Sequence, residues 1–136
     1  MKFLLDTNVI SDFVRGDAVV QSNLRTSAPA DVAVSAITVM EIAYGLARNP
    51  RKAQRISPLI DALLASITIL AYVDADAKET GRIRAELETV GQPIGLCDAM
   101  LAGVARSRDL LMITHNVSEF SRVQGLRFLD WRNAAS

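Results

Sequence analysis

The sequence has very few of the residues on which disulfide frameworks and histidine-rich metal sites depend. Cys97 is the only cysteine and His115 the only histidine among 136 residues. A single cysteine excludes an internal disulfide and a cysteine-rich zinc site. A single histidine excludes a multi-histidine metal site and leaves Cys97 without a base placed by sequence to activate it. We therefore interpret Cys97 as a small buried hydrophobic residue.

The sequence also lacks a long apolar run and a net charge. Its apolar stretches are shorter than the ~18 to 20 residues of a membrane span, and Asp6 and Asn8 interrupt the start, where a signal peptide would be apolar. We expect a cytoplasmic protein that does not contact a membrane. Fifteen basic residues balance fifteen acidic ones, so net charge does not indicate nucleic-acid binding. Twelve of the basic residues are arginine, which suits phosphate contacts but is equally explained by a GC-rich genome.

Half of the residues are apolar, and this composition and length predict one compact domain over residues 1–136. Hydrophobic periodicity predicts an alternation of short strands and helices. Strands are predicted at 2–5, 31–34, 67–70, 110–114 and 126–129, and helices at 9–14, 18–26, 35–48, 51–65, 74–90 and 98–108, with a helical turn at 117–122. The predicted fold is therefore α/β, with a short central parallel sheet of four to five strands flanked by helices on both faces.

Three carboxylates, those of Asp6, Glu41 and Asp98, each stand alone in an apolar segment. A lone ionised carboxylate among buried side chains is unfavourable unless it is paired or binds a cation. Asp6 follows the first predicted strand and Asn116 lies just beyond the strand at 110–114. Because ligands bind beyond the carboxyl ends of parallel strands, we expect these four side chains to converge in one cleft.

Each candidate also has an ordinary structural interpretation. Asp6 and Asp98 are suitable N-caps for the helices that follow them. Glu41 shares a helix face with Ile37 and Tyr44, and a glutamate at the edge of a buried stripe can reach water.

A set of oxygen ligands favours Mg²⁺, or Mn²⁺, over zinc. Such ions promote phosphodiester hydrolysis by binding the scissile phosphate and lowering the pKa of a water molecule. A nearby carboxylate can help to remove the proton from that water. Asn116 and Glu119 are both candidates for a fourth position around the ion, and periodicity does not choose between them.

Four segments carry a family resemblance, in order and through nearly the whole chain. They are FLLDTNVIS at 3–11, SAITVMEI at 35–42 with Gly45, PIGLCDAMLA at 93–102, and LMITHN at 111–116 followed by Glu119-Phe120, Gly125-Leu126 and Asp130-Trp131. In these motifs the sequence resembles the PIN-domain ribonucleases and, within them, the VapC toxins of bacterial type II toxin–antitoxin pairs.

The resemblance implies a PIN-like three-layer fold in which Asp6 and Asp98 are metal ligands and Glu41 belongs to the acidic cluster. Many PIN domains have a fourth aspartate where this chain has Asn116, and Glu119 can partly substitute for it. The implied activity is a Mg²⁺-dependent endoribonuclease that cuts structured RNA, often tRNA, and so arrests translation. The implied partners are a second copy in a homodimer and a VapB-type antitoxin that blocks the cleft, forms a hetero-oligomer and supplies the DNA-binding part.

Substrate contacts are expected beside these residues. Thr7 and Asn8 follow Asp6 directly. His115 precedes Asn116 at a strand end, where it can touch a phosphate, and the alternative for this histidine is an exposed loop residue. Two further residues, Arg48 and Arg51, together with Arg55, are candidates for an RNA-facing helix. The alternative for these arginines is ordinary solvated surface.

Two other functions are compatible with parts of the pattern. An aspartyl-phosphate phosphatase of haloacid-dehalogenase type also has an aspartate after its first strand, but it requires a second aspartate where this chain has Asn8. It also requires a late lysine, and none follows Lys78. A non-catalytic interaction module would use the carboxylates only as caps, and it gives no reason to keep a charge at Glu41.

Overall fold

The computed structural model describes residues 1–133, which form a five-stranded sheet and seven helices. The strands are Phe3–Leu5 (β1), Val32–Ser35 (β2), Thr68–Leu70 (β3), Leu111–Ile113 (β4) and Phe128–Leu129 (β5). The helices are Thr7–Val14 (α1), Ala18–Thr26 (α2), Ala36–Arg48 (α3), Pro50–Ser66 (α4), Asp74–Thr89 (α5), Leu96–Ser107 (α6) and Val117–Phe120 (α7), with 3-10 turns at Pro29–Asp31 and Trp131–Asn133. Within these residues, no helix has the length and apolar content needed to cross a bilayer.

All neighbouring strands are parallel, in the order β3-β2-β1-β4-β5. The chain adds β2 and β3 on one side of β1, then returns to add β4 and β5 on the other side. The strand order therefore changes direction between β1 and β4, which is where ligands bind in open α/β sheets. Because Leu5 is in register with Ile113, Asp6 and Thr114 leave the sheet side by side at this point.

Successive side chains of the strands enter two separate core layers. Leu4 and Met112 pack with the apolar side chains of α5 and α6, whereas Leu5 and Ile113 pack with those of α1, α2 and α4. This alternation follows from the two-residue period of a strand, and it buries both faces of the sheet. The predicted three-layer α/β architecture is confirmed.

The start of α6 differs from the prediction. The helix begins at Leu96 with Gly95 at its N-cap, so Asp98 is its third residue and does not cap it. The structural alternative for Asp98 is therefore wrong. Glycine is a suitable N-cap, and the preceding Gly-Gln-Pro-Ile loop gives no other signal for the boundary. The remaining predicted boundaries agree within about two residues, and the structure adds a 3-10 turn at Pro29–Asp31 that the periodicity does not indicate.

A close contact between two helices depends on a glycine. A Cβ atom added at Gly103 of α6 would lie 2.1 Å from Thr80 Oγ1 and 3.0 Å from the carbonyl oxygen of Asp76, both in α5. Beside this contact, Arg108 donates to the fully buried carboxylate of Asp76 at 2.8 Å, and Ser107 donates to it at 2.7 Å. The α5–α6 pair is therefore fixed by close packing and by a paired buried charge.

Replacement of Gly103 by alanine tests this contact. Gly103→Ala forces α5 and α6 apart, and we expect a loss of about 1–3 kcal/mol of folding stability from overpacking. Gly81→Ala is the matched control, because Gly81 is an exposed helix residue whose added Cβ meets nothing within 4 Å. We expect this control to be up to about 1 kcal/mol more stable than wild type. Thermal unfolding followed by circular dichroism distinguishes the two, and equal melting temperatures would contradict the packing argument.

Candidate active site

Asp6 lies at the centre of a polar network at the carboxyl end of the sheet. Its side chain is only 4% exposed and accepts three hydrogen bonds, from Thr7 N at 2.7 Å, Asn8 Nδ2 at 2.9 Å and Thr114 Oγ1 at 2.8 Å. The first of these caps α1, so the capping role expected for Asp6 is present. It does not exclude a second role, since the carboxylate also faces the cleft groups described next.

Thr114 connects Asp6 to the segment that follows β4. This fully buried hydroxyl donates to Asp6 and accepts from the backbone N–H of Asn116 at 2.9 Å. The Asn116 side chain in turn donates to Glu119 Oε2 at 3.3 Å. We did not single out Thr114 from the sequence, although it is the last residue of the strand predicted at 110–114 and directly precedes the candidates His115 and Asn116. That position was the available signal.

Glu41 reaches the same cleft from α3. Its Oε1 accepts a 2.6 Å hydrogen bond from Thr7 Oγ1, while the Thr7 backbone donates to Asp6. Thr7 therefore joins the two carboxylates. The predicted helix face is only partly correct: Glu41 is half-buried, but Tyr44 on the same face is 59% exposed.

Asp98 and Glu119 form a second pair of carboxyl groups. The pKa of Asp98 is raised to about 7, first by burial and then by its hydrogen bond with Glu119 and the negative charges of Asp6, Glu119 and Glu41. The pKa of Glu119 is lowered, mainly because it accepts the hydrogen bond from Asp98. Below about pH 7 the pair therefore tends to share one proton, and the direction of the two pKa shifts places it mainly on Asp98.

The negative charge of the four carboxyl groups in the cleft is only slightly offset by the nearby Arg122. Burial raises the pKa of Asp6, its three hydrogen bonds partly offset this effect, and the charge of Glu41 adds to it. Asp98 is influenced by all three other carboxylates, so the four groups face a common volume. The positive charge of Arg122 makes only a minor contribution to the lowered pKa of Glu119. A positive charge placed in the common volume would relieve the repulsion that ionisation of the four groups produces.

The donors suit a hard divalent cation, because all of them are oxygen atoms. Within residues 1–133, no group of three His, Cys, Asp or Glu side chains is already placed to hold a metal ion. The carboxylates are instead arranged as two pairs, Asp6 with Glu41 and Asp98 with Glu119. Binding by one or two carboxylates, completed by water and substrate phosphate, is the usual mode for Mg²⁺, so the donor set fits this ion.

His115 is held beside the cleft by a carboxylate that the sequence did not reveal. Its Nδ1 lies 3.0 Å from Asp12 Oδ2, and its backbone N–H donates to Asn8 Oδ1 at 3.2 Å. Asp12 is 4% exposed and also pairs with Arg15. The histidine ring is therefore half-buried and oriented, rather than free in a loop. Asp12 follows Asn8 by one helical turn, and only knowledge of the strand order places it next to His115.

The predicted arginine surface lies next to the cleft. Arg48 ends α3, and Arg51 and Arg55 lie on the first turns of α4, all of them exposed. None forms an ion pair within the described part of the chain.

Cys97 is half-buried beside Asp98, and its pKa is raised by burial and by the charges of Glu41 and Asp98. The interpretation of Cys97 as a buried residue is therefore only partly correct, whereas the raised pKa of its thiol agrees with an unreactive side chain.

The proton on Asp98 leads to a stability prediction for the metal-free protein. Because the folded-state pKa of about 7 exceeds the ordinary 3.8, the folded protein retains a proton that the unfolded chain releases, and stability falls as the pH rises through this window. Asp98→Asn removes this penalty, so we expect the variant to be about 1 kcal/mol more stable than wild type at about pH 8.

The difference should vanish near pH 4, and urea unfolding in EDTA measures it. Asp61→Asn is the matched control, since it removes one exposed carboxylate of α4 far from this network. A variant that is less stable than wild type at the higher pH would contradict the charge repulsion inferred here.

Comparison with known proteins identifies the family. The family model of the PIN domain matches residues 3–126. The chain is 38% identical to a tRNA(fMet)-specific endonuclease VapC of Shigella flexneri, over 96% of this chain and 98% of that protein. It is 35% identical to ribonuclease VapC2 of Haemophilus influenzae, with the same coverage.

Solved structures agree with these relatives. The crystal structure of DNA-bound VapBC from Salmonella typhimurium contains a chain that is 34% identical to this one, with a TM-score of 0.88 and coverage of 96% of this chain and 98% of that one. A VapBC2 chain from Rickettsia felis, also bound to DNA, has a TM-score of 0.88 at 28% identity. Neither the phosphatase nor the interaction module is favoured by these matches. The chain belongs to the PIN-domain family and, within it, to the VapC ribonuclease toxins.

Proposed function

We propose that this nuclease is a Mg²⁺-dependent endoribonuclease whose cleft is formed by Asp6, Glu41, Asp98 and Glu119. The observation that carries the proposal is the convergence of four carboxylates at the β1–β4 switch point, where burial and mutual repulsion leave negative charge uncompensated. A bound Mg²⁺ or Mn²⁺ would supply charge neutralisation and activate a water molecule. Asp6, Asp98 and Glu41 are the proposed ligands.

The remaining residues of the cleft position these groups. Thr7 holds Glu41 towards Asp6, and Asn8 and Thr114 orient the Asp6 carboxylate. Asn116 binds Glu119 through its amide, so we propose that Glu119 supplies the fourth carboxylate and that Asn116 orients it. Because the pKa of Glu119 is lowered and that of Asp98 is raised, Glu119 is the member of the pair that ionises first as the pH rises.

The proposed substrate is a structured RNA, and tRNA is the first candidate. Two of the relatives are named as tRNA(fMet)-specific endonucleases, and we extend that specificity to this chain as a proposal. Cleavage of an initiator tRNA would arrest translation in the cytoplasm. His115, oriented by Asp12, and the arginines at positions 48 and 51 are proposed contacts for its phosphates.

Two aspartate variants test the metal-dependent activity. We expect Asp6→Asn and Asp98→Asn each to reduce RNA cleavage by at least about a hundredfold, because a neutral amide neither binds the cation nor balances its charge. Asparagine can retain the α1 cap at position 6, but its amide nitrogen cannot accept the hydrogen bonds from Asn8 and Thr114, so circular dichroism must first verify that the variant is folded. The assay uses purified protein and initiator tRNA with Mg²⁺, Mn²⁺ or EDTA, and 5′-end sequencing of total RNA after brief induction identifies the cleavage site.

The control for this assay is Asp61→Asn, which should cut RNA and arrest growth like wild type. Cleavage that continues in EDTA, or that survives both aspartate substitutions, would exclude the proposed site. Growth arrest that survives Asp6→Asn would favour a binding mechanism over a nuclease.

A VapB-type antitoxin is the proposed inhibitor, since the similar solved structures are VapBC complexes. A groove of about 170 Å³ leads away from Thr7 and Glu41 between α1, α3 and α4. Its remaining lining is mainly apolar, with two cations at the rim, and comprises Ile10, Ser11, Val14, Arg15, Ile42, Gly45, Leu46, Lys52, Ile56 and Ile60. We propose that an apolar antitoxin segment occupies this groove and that its end covers the cleft, forming the toxin–antitoxin hetero-oligomer.

A larger side chain introduced at a residue that lines the groove tests this assignment. An added Cβ at Gly45 meets nothing within 4 Å, so Gly45→Leu places a side chain in the groove without strain in α3. We expect antitoxin affinity to fall by at least about tenfold, because the groove no longer admits the apolar segment. Gly81→Leu, on the exposed face of α5, is the control, and titration calorimetry with the cognate antitoxin is the measurement. Unchanged affinity would place the antitoxin elsewhere.

We also propose that the chain forms a homodimer and contacts operator DNA only through the antitoxin. Large apolar side chains outside the groove support self-association: Val90 is 64% exposed, Leu96 58% and Met40 49%. The DNA in the similar structures is bound by VapBC complexes rather than by a toxin alone. A single domain over residues 1–136 remains a prediction.

A further inference from the structure

Helix α3 carries an exposed aromatic side chain just outside the cleft. Tyr44 follows Glu41 by three residues and Arg48 follows it by seven, so the three side chains form one row along the helix. Tyr44 is 59% exposed, and it lies about 4.5 Å further along the helix axis than Glu41. An open aromatic face is therefore available one helical turn from the proposed catalytic carboxylates.

Arg48 holds the Tyr44 ring in place. Its Nη1 donates a 3.0 Å hydrogen bond to Tyr44 Oη, and its guanidinium carbon lies 5.6 Å from the ring centroid. Arginine and the ring therefore support each other through a hydrogen bond and a cation–π contact. The charge of Arg48 is not neutralised, because this residue forms no ion pair within residues 1–133.

Positive charge continues beyond this pair. Arg51, Lys52 and Arg55 lie on the first turns of α4, also without ion pairs in the described residues, and no acidic residue occurs between positions 42 and 60. Arg48 thus contacts the aromatic ring, and three further cations without ion pairs in the described chain follow it along the sequence on the next helix. Proteins that bind single-stranded nucleic acid combine cations that follow the phosphates with aromatic rings that stack on the bases.

We propose that Tyr44 is a base-stacking residue that holds the nucleotide next to the scissile phosphate, with the cations at positions 48–55 binding the following phosphates. The inference rests on the proposed ribonuclease function and extends it by assigning the path of the RNA. Tyrosines also occur in protein interfaces, but uncompensated cations next to this ring favour a polyanion over an apolar protein surface. Since every base has a π-face, stacking on Tyr44 positions the RNA without selecting a particular base sequence.

A tryptophan introduced at this position reports stacking directly. Tyr44→Trp is made in the Asp98→Asn chain, which we expect to bind RNA with little cleavage. The probes are a mixed-sequence single-stranded RNA dodecamer and inorganic polyphosphate. We expect RNA to quench the new tryptophan and polyphosphate to leave its emission unchanged. The parent Asp98→Asn chain contains only Trp131, which is 4% exposed, and its emission should not respond to either probe.

Steady-state cleavage of a short RNA separates ring stacking from simple bulk. We expect Tyr44→Leu to raise KM about tenfold with kcat within about twofold, and Tyr44→Phe to stay within about threefold of wild type in both constants.

If wild type cuts RNA but the introduced tryptophan is not quenched, the stacking role is overturned and the nuclease function stays intact. Wild type that cuts no RNA would overturn the nuclease function itself. If Tyr44→Leu leaves KM unchanged and dissociates a dimer in sedimentation velocity, Tyr44 is a subunit contact and the proposal is wrong.

Discussion

The organisation of the cleft depends on the burial of one carboxylate at the end of β1. Asp6 is almost inaccessible to water, and burial alone would make its charged form unfavourable. Three donors offset that cost, and they come from two different parts of the chain, α1 and the end of β4. The hydrogen bonds that stabilise the buried charge of Asp6 therefore also join β1 to β4 at the switch point, and Thr114 in turn accepts from the backbone N–H of Asn116.

This arrangement separates the charges that stabilise the fold from those that destabilise it. Far from the cleft, the buried carboxylate of Asp76 is paired with Arg108, and its pKa is lowered. In the cleft, Asp98 has no such partner among residues 1–133, and its pKa is raised. A buried charge with a partner and one without a partner differ by several kcal/mol in their contribution to folding stability. The paired charge of Asp76 therefore stabilises the α5–α6 contact, whereas the carboxyl groups of the cleft are unfavourable without a cation. Structural and functional carboxylates can thus be distinguished by their partners.

The sequence predicted the architecture well because both of its main signals are local. Apolar runs of strand length alternate with helical periodicity, so the parallel sheet and most boundaries followed directly. The candidate carboxylates were found by the same reasoning, since each interrupts an apolar segment. Thr114 and Asp12 were missed because their importance depends on strand order: a threonine after β4 becomes a hydrogen-bond donor to Asp6 only when β4 lies beside β1. The start of α6 was missed because a glycine N-cap has no distinctive side chain.

Helix α3 brings the proposed activity and its proposed inhibition into one element. One edge of the helix presents Glu41 to the cleft, and the neighbouring positions Ile42, Gly45 and Leu46 line the apolar groove. Thr7 and Glu41 belong to both places. A segment that fills the groove as far as Thr7 and Glu41 therefore lies close to the carboxylates of the cleft, which the proposed RNA substrate has to reach. The proposed inhibition would therefore require only occupation of the groove and no change in the fold, because the groove and the cleft share Thr7 and Glu41.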